Sequence, residues 1–146
     1  MRIAWIAVLG VAVSLGFCGC FGRFNEFKTK LQTTKVESIP VAQVADGDYE
    51  GIYDLQFVSA KVLVHVHSGR ITGIDLLEHK HGPRYSGKKV IGRIIEKQSL
   101  AVDAVSGATG SSTVIRKAVE IALKKGVAAA DPVAAESVAT RLMEER

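Results

Sequence analysis

A chain of 146 residues with 47% hydrophobic content has room for one small domain with appendages and one core. Its formal charge of +4 arises from basic residues dispersed among acids, and no stretch interleaves them with aromatics, so the balance reads as solubility and no nucleic-acid partner is expected. The only two cysteines, Cys18 and Cys20, lie close together near the start, which excludes a structural disulfide across the fold.

From Ile3 to Gly22, between Arg2 and Arg23, there is no charged residue, a length of about one bilayer. One basic residue before a continuous apolar stretch fits a signal peptide or a signal anchor, and both carry the rest of the chain out of the cytoplasm. Residues 1–22 are therefore expected to hold the protein on the outer face of the cell membrane. Cys20, preceded by Phe17-Cys18-Gly19, resembles a bacterial lipobox through Gly19, although Phe17 and Cys18 depart from the usual leucine and small residue. Lipidation at Cys20 stands beside a second reading, in which both cysteines are small apolar residues of an uncleaved helix.

Residues 23–45 lack sustained periodicity and read as a tether, with Phe24, Phe27 and Leu31 spaced for a short juxtamembrane helix across Asn25–Gln32. The domain proper is placed at 46–126, opening on the turn Asp46-Gly47-Asp48 and the strand-like Tyr49–Tyr53. Ala60–His67 alternates Val62, Val64 and Val66 with Leu63, His65 and His67; Ser68-Gly69 makes a turn; and Arg70–Leu77 returns as the second arm of a hairpin. His65 and His67 share a face, but no carboxylate or third ligand is spaced with them in sequence, and no metal site is assigned.

Glu78–Gly87 reads as a polar loop containing Gly82 and Pro83, of a length that often marks function. Lys88–Gln98 places Val90, Ile91, Ile94 and Ile95 at helical spacing, so this helix should cover the sheet, with Gly92 at a close packing contact. Leu100-Ala101-Val102 returns to extended structure. After Ser112, the stripe Ile115, Ala118, Val119, Ala122 makes a second helix, for which Gly126 is a natural stop. Asp131-Pro132 opens a tail helix in the remaining 127–146. The fold expected is α+β, an antiparallel sheet of four or five short strands with two packed helices.

Between these helices runs Asp103-Ala104-Val105-Ser106-Gly107-Ala108-Thr109-Gly110-Ser111-Ser112. Gly107 and Gly110 permit tight backbone approach, Ser111 and Ser112 are suited to cap the next helix, and the helix start suits an anion. Gly, Ser and Thr are also what any strand-to-helix turn uses, so on chemistry alone a plain N-cap turn is an equal reading.

The run Asp103 to Thr109 resembles the flavinylation signature of the FMN-binding domain family: an aspartate, two variable residues, then Ser/Thr-Gly-Ala-Thr. The resemblance reaches from Asp48-Tyr49-Glu50-Gly51, through Gly69–Ile74 and Glu78-His79, to about Lys125. It extends to the covalently flavinylated peripheral subunits of the sodium-pumping NADH:quinone oxidoreductase and Rnf complexes. It implies FMN joined through its phosphate to Thr109 by a flavin transferase, with Asp103, Ser106, Gly107 and Ala108 in the signature and Ser111 and Ser112 beyond it. The loop Gly82-Pro83-Arg84-Tyr85 stands where relatives often carry Thr-Pro-Gly; Arg84 or a nearby histidine could offset flavin charge and Tyr85 could lie against the ring, while a solvated basic loop is the other reading of each of these residues. The function implied is a membrane-tethered flavoprotein relaying electrons between a membrane donor and a redox partner, an oxidoreductase subunit rather than a stand-alone enzyme. Two other readings use the same residues: a non-redox module holding an anionic or phosphorylated ligand noncovalently, and a surface lipoprotein with a structural role.

Overall fold

The computed structural model describes residues 18–82 and 86–130, with side chains from Asn25 onward. The anchor expected at the start of the chain, the Cys20 side chain, Arg84, Tyr85 and the tail after Ala130 lie outside the described residues. No helix among the described residues is long and apolar enough to cross a membrane.

The chain divides into two units after Thr33. The first holds α1, Cys18–Thr33, which contains the short helix anticipated at Asn25–Gln32. Its described surface is polar, with Glu26 and Lys30 one turn apart and paired at 3.3 Å.

The second unit is an α+β domain. Strands β1 (Gly47–Leu55), β2 (Val58–His67) and β3 (Arg70–Lys80) form an antiparallel sheet in the order β1-β2-β3. Ser68 (φ 52°) and Gly69 (φ 67°) give the β2–β3 hairpin the paired left-handed residues that match strand twist. Between β1 and β2, Gln56 also takes a positive φ, and its N–H donates to Asp54 Oδ1 at 2.7 Å. The expected alternation holds along β2: Val58, Ala60, Val62, Val64 and Val66 are buried. Irregular register at Lys61/Val62 and His65/Val66 adds residues to β3 and bends the sheet around its contents.

Two helices complete the unit, α2 (Lys89–Lys97) and α3 (Thr109–Ala130). The helix that covers the sheet is α3, lying against β1 and β2, whereas α2 packs against β3 and α3. The stripe Ile115, Ala118, Val119, Ala122 is fully buried and widened by Val114 and Leu123. On α2, Val90, Ile91 and Ile94 are buried; Gly92 is exposed with open space about it, so the close contact expected there does not occur.

The close contacts fall on other glycines. A Cβ on Gly51 of β1 would lie 1.9 Å from the Ala118 carbonyl oxygen and 2.8 Å from the Ala122 nitrogen, so strand and helix backbones meet there. Gly126 does not stop α3. It is buried within the helix, where a Cβ would come 2.3 Å from Val44 Cγ1 and 2.7 Å from the Tyr49 ring. The sheet has three strands among the described residues rather than four or five, because Leu100–Val102, though buried at Leu100 and Val102, joins no ladder.

Residues 34–45, expected as tether, belong to this domain. Val41, in a 3-10 turn (Val41–Gln43), and Val44 are buried, and the Ala45 N–H donates to the Gly126 carbonyl at 3.2 Å. Glu120 of α3 is fully buried, with Oε1 at 3.2 Å from Lys117 Nζ and 2.8 Å from Lys124 Nζ, while Oε2 accepts the Glu37 N–H at 3.0 Å. Lys117 also donates to the Lys35 carbonyl at 3.2 Å, and Lys124 reaches Glu37 Oε2 at 3.0 Å. A buried carboxylate so surrounded has its hydrogen-bonding capacity used.

On the opposite sheet face the fold brings carboxylates to the histidines that sequence spacing left alone. His65 Nδ1 is 2.6 Å from Asp48 Oδ1 and Nε2 3.1 Å from Asp75 Oδ2, and His67 Nδ1 is 3.0 Å from Asp46 Oδ2. Hydrogen bonds to Asp48 and then Asp75 raise the His65 pKa. Stability from charged His65 is therefore complete below its unfolded value of about 6.5 and lost as pH rises through the higher folded value. Melting of His65→Gln, tracked against pH, should lack the decline that the native chain shows above pH ~6.5 from this group. Gly51→Ala should lose about 3 kcal/mol or more in urea unfolding, because backbone on both sides must move.

Candidate functional site

The segment leaving α2 cannot draw on a sheet partner, so its backbone polar groups find side chains. Arg116 of α3 donates from Nε to the Leu100 carbonyl at 2.9 Å. Arg93 of α2 donates from Nη1 to the carbonyls of Asp103 at 2.8 Å and Ala104 at 3.2 Å. Ser112 Oγ accepts the Val105 N–H at 3.0 Å. Burial lowers the Arg116 pKa from its ordinary value, opposed by the nearby Asp103 charge.

The chain then reverses through Val105-Ser106-Gly107-Ala108, closed by the Ala108 N–H on the Val105 carbonyl at 2.9 Å. Gly107 has φ +77°, the left-handed value that a turn of this kind requires at its third residue. Ser106 and Gly107 are exposed at the tip, and Ala108 is buried beneath them. Helix α3 starts at Thr109, four residues before the position expected, with the Ser112 N–H on the Ala108 carbonyl at 2.9 Å as an early bond of the helical ladder.

That earlier start changes the role of the two serines. Ser111 and Ser112 are not caps; they lie in the first helical turn and are 5% and 0% exposed, so the hydroxyls offered to solvent are those of Ser106 and Thr109. Ser112 is a brace for the loop.

Asp103 is also exposed, and its carboxylate takes part in no hydrogen bond or ion pair among the described residues. It is not a cap on the next helix. Its carbonyl is held while its side chain is left available to a partner.

The second region expected to matter, Glu78–Gly87, divides in two. Glu78, His79 and Lys80 continue β3, with Glu78 opposite Lys61. His79 bridges backbone segments: Nδ1 lies 2.8 Å from the Ser59 carbonyl and Nε2 2.6 Å from the Ser86 carbonyl. A neutral ring can donate only one of these two bonds. Gly87, φ +63°, is pressed onto the first turn of α3, where a Cβ would lie 2.8 Å from Ser111 Cβ and 2.9 Å from the Ser112 nitrogen. The end of this loop thus borders the motif.

The site that results is an exposed turn with a hydroxyl on each side of Gly107, set at the start of a 22-residue helix. In helix geometry the N–H groups of Thr109 and Gly110 have no carbonyl within the helix to receive them, and the positive end of the helix dipole lies there. This arrangement suits a phosphate held close to the backbone. The signature that the chain resembles groups Asp103, Ser106, Gly107, Ala108 and Thr109 as one unit; it does not include Arg93, Arg116, His79 or Gly87. Gly87 carries a local signal, a glycine directly before a helix. Arg93 looks like any solvent-facing residue of an amphipathic helix.

Ser112→Ala should cost about 1–2 kcal/mol by leaving the Val105 N–H without its acceptor, read as a lowered urea midpoint and faster amide exchange at Val105.

Compared with known families, residues 59–124 match the model of the FMN-binding domain, a segment that includes all but the first residue of β2, then β3, α2, the motif turn and most of α3. No curated protein matches the chain.

Proposed function

We propose a function from the family to which this chain belongs: residues 59–124 make it a member of the FMN-binding domain family, and FMN is its cofactor. The chain is a flavoprotein that holds FMN covalently through Thr109 and relays electrons between a membrane donor and a second carrier or reductase. When bound, FMN supplies one- and two-electron redox chemistry at its isoalloxazine ring, and the protein supplies attachment and orientation.

The observation that carries this reading is the exposure of Thr109 at the start of α3, beside a positive-φ glycine turn, while Ser111 and Ser112 are buried. Thr109 also fills the threonine position of the signature. Joining a phosphate ester to a threonine requires an activated donor, a flavin pyrophosphate. Thr109 Oγ forms the new O–P bond, the pyrophosphate P–O bond breaks, a mononucleotide leaves and the hydroxyl proton passes to a base of the transferase. No electrons change hands in that step. The resulting phosphodiester keeps a negative charge, which the first-turn N–H groups and dipole of α3 stabilise.

Tethering is supported by the uncharged run Ile3–Gly22 and the lipobox-like Phe17-Cys18-Gly19-Cys20. A covalent flavin on an outward-facing, membrane-held carrier is not lost to the surrounding fluid. On this reading Cys20→Ser blocks lipid labelling and Cys18→Ser does not.

Co-expression of the full chain with an active flavin transferase tests the attachment. Acid-precipitated protein should stay yellow and gain the mass of FMN less water, with the adduct on the peptide containing Thr109. Thr109→Ala should lose the adduct with little change in melting, and Ser106→Ala should retain it. Flavin on Ser106, or flavin still covalently held by Thr109→Ala, would show the wrong hydroxyl; flavin released by acid would favour noncovalent binding.

A further inference from the structure

The aspartate of the signature stands six positions before the acceptor threonine, and the structure shows how each end of that span is secured. At the threonine end, the turn Val105–Ala108 is closed by its own hydrogen bond and braced by Ser112. At the aspartate end there is no turn, no ladder and no helix. The Asp103 and Ala104 carbonyls are held from outside the segment by the Arg93 guanidinium, at 2.8 and 3.2 Å.

We propose that Arg93 is a positioning residue for flavin attachment: by gripping two consecutive carbonyls it fixes the peptide planes on which the Asp103 side chain is mounted, so that the transferase meets Asp103 and Thr109 as one preset pair. This rests on the attachment reading above and adds a residue outside the signature to it.

The surroundings of Arg93 favour this role over a packing one. Its helix is docked through Val90, Ile91 and Ile94, all buried, whereas Arg93 is exposed. Among the described residues its hydrogen bonds go to carbonyls of the motif and to no carboxylate. A guanidinium can keep both contacts with one planar nitrogen, and its charge strengthens each of them. Asp103 is left exposed, with the Arg116 charge nearby but no hydrogen bond or ion pair to its carboxylate among the described residues, as a recognition group should be. Arg116, which holds the segment at Leu100, is partly buried and anchors its start; Arg93 acts next to the residue to be recognised.

The test measures flavin transfer to the purified full chain, using a flavin transferase and a flavin pyrophosphate donor, with the acceptor chain as the varied substrate. Arg93→Gln should lower kcat/KM for the acceptor about tenfold, mainly through KM, as expected when a recognised group is misdirected. Arg93→Lys should recover much of that loss, because an ammonium can also donate to both carbonyls. Lys89→Gln, which removes a charge from the same helix, should match the native chain and so separates positioning from simple attraction. Amide exchange at Val105 should quicken in Arg93→Gln, while the melting temperature changes little. Modification of Arg93→Gln at the native rate, or an equal loss in Lys89→Gln, overturns the inference while native modification at Thr109 leaves the attachment reading standing. A native chain that gains no flavin at Thr109 overturns both.

Discussion

The contact on which the domain depends is the meeting of two backbones at Gly51. Strand β1 has no side chain there, and the space is filled by the Ala118 carbonyl and Ala122 nitrogen of α3. Helix and strand thereby approach more closely than side-chain packing normally allows, and the valines of β2 close over Ile115, Val119 and Leu123. Small residues on the helix at 118 and 122 are the other half of this arrangement. One turn on, Gly126 leaves room in the same helix for the Val44 and Tyr49 side chains. A helix placed by backbone contact has little freedom to slide, so its start, and Thr109 with it, has a fixed place relative to the sheet.

A second constraint acts on the same helix from its other side. Glu120 is buried among two lysines and a backbone N–H, and its partners draw the strap at Lys35 and Glu37 onto α3. Burial works against the Lys124 ammonium, but hydrogen bonds to Glu120 and Glu37 keep its pKa above the ordinary value. Replacing such a cluster by apolar groups is often neutral for stability, whereas removing one member leaves a buried charge without its partner. The cluster therefore explains why this segment lies where it does better than it explains how stable the domain is. Residues 34–45 read as a tether in sequence because they lack periodicity, and a strap held by a few polar contacts and two buried valines has none to show.

Much of the fold is legible where a pattern repeats. The β2 valines, the Ser68-Gly69 turn and the α3 stripe each declare themselves through period or turn chemistry. What is not legible depends on where elements meet. Gly92 and Gly126 look alike in sequence, each a glycine in a helical pattern, yet one faces open space and the other supports a packed ring. Leu100–Val102 has strand composition, but the segment it opens is held by arginine side chains from two helices rather than by another strand. The helix start is misplaced in sequence because Ser111-Ser112 is a strong capping signal, overruled by a turn that already satisfies Ala108 and begins the helix at Thr109.

That displacement of four residues decides which hydroxyls of the motif are exposed. Had α3 begun after Ser112, Thr109 would have been one hydroxyl among several in a loose loop, and the dipole end would have lain beyond it. With the helix starting at Thr109, Ser111 and Ser112 are buried, and Gly107 turns the chain at φ +77° just before the helix. On the proposed attachment through Thr109, the acceptor oxygen stands at the positive end of the longest helix among the described residues, where fixed dipoles already in place favour a phosphodiester. The residues of a plain turn thus owe their setting to the point at which the helix begins, and two contacts fix that setting: the turn closed by the Ala108 N–H on the Val105 carbonyl starts the helix, and Gly51, far away in sequence, fixes where α3 lies on the sheet.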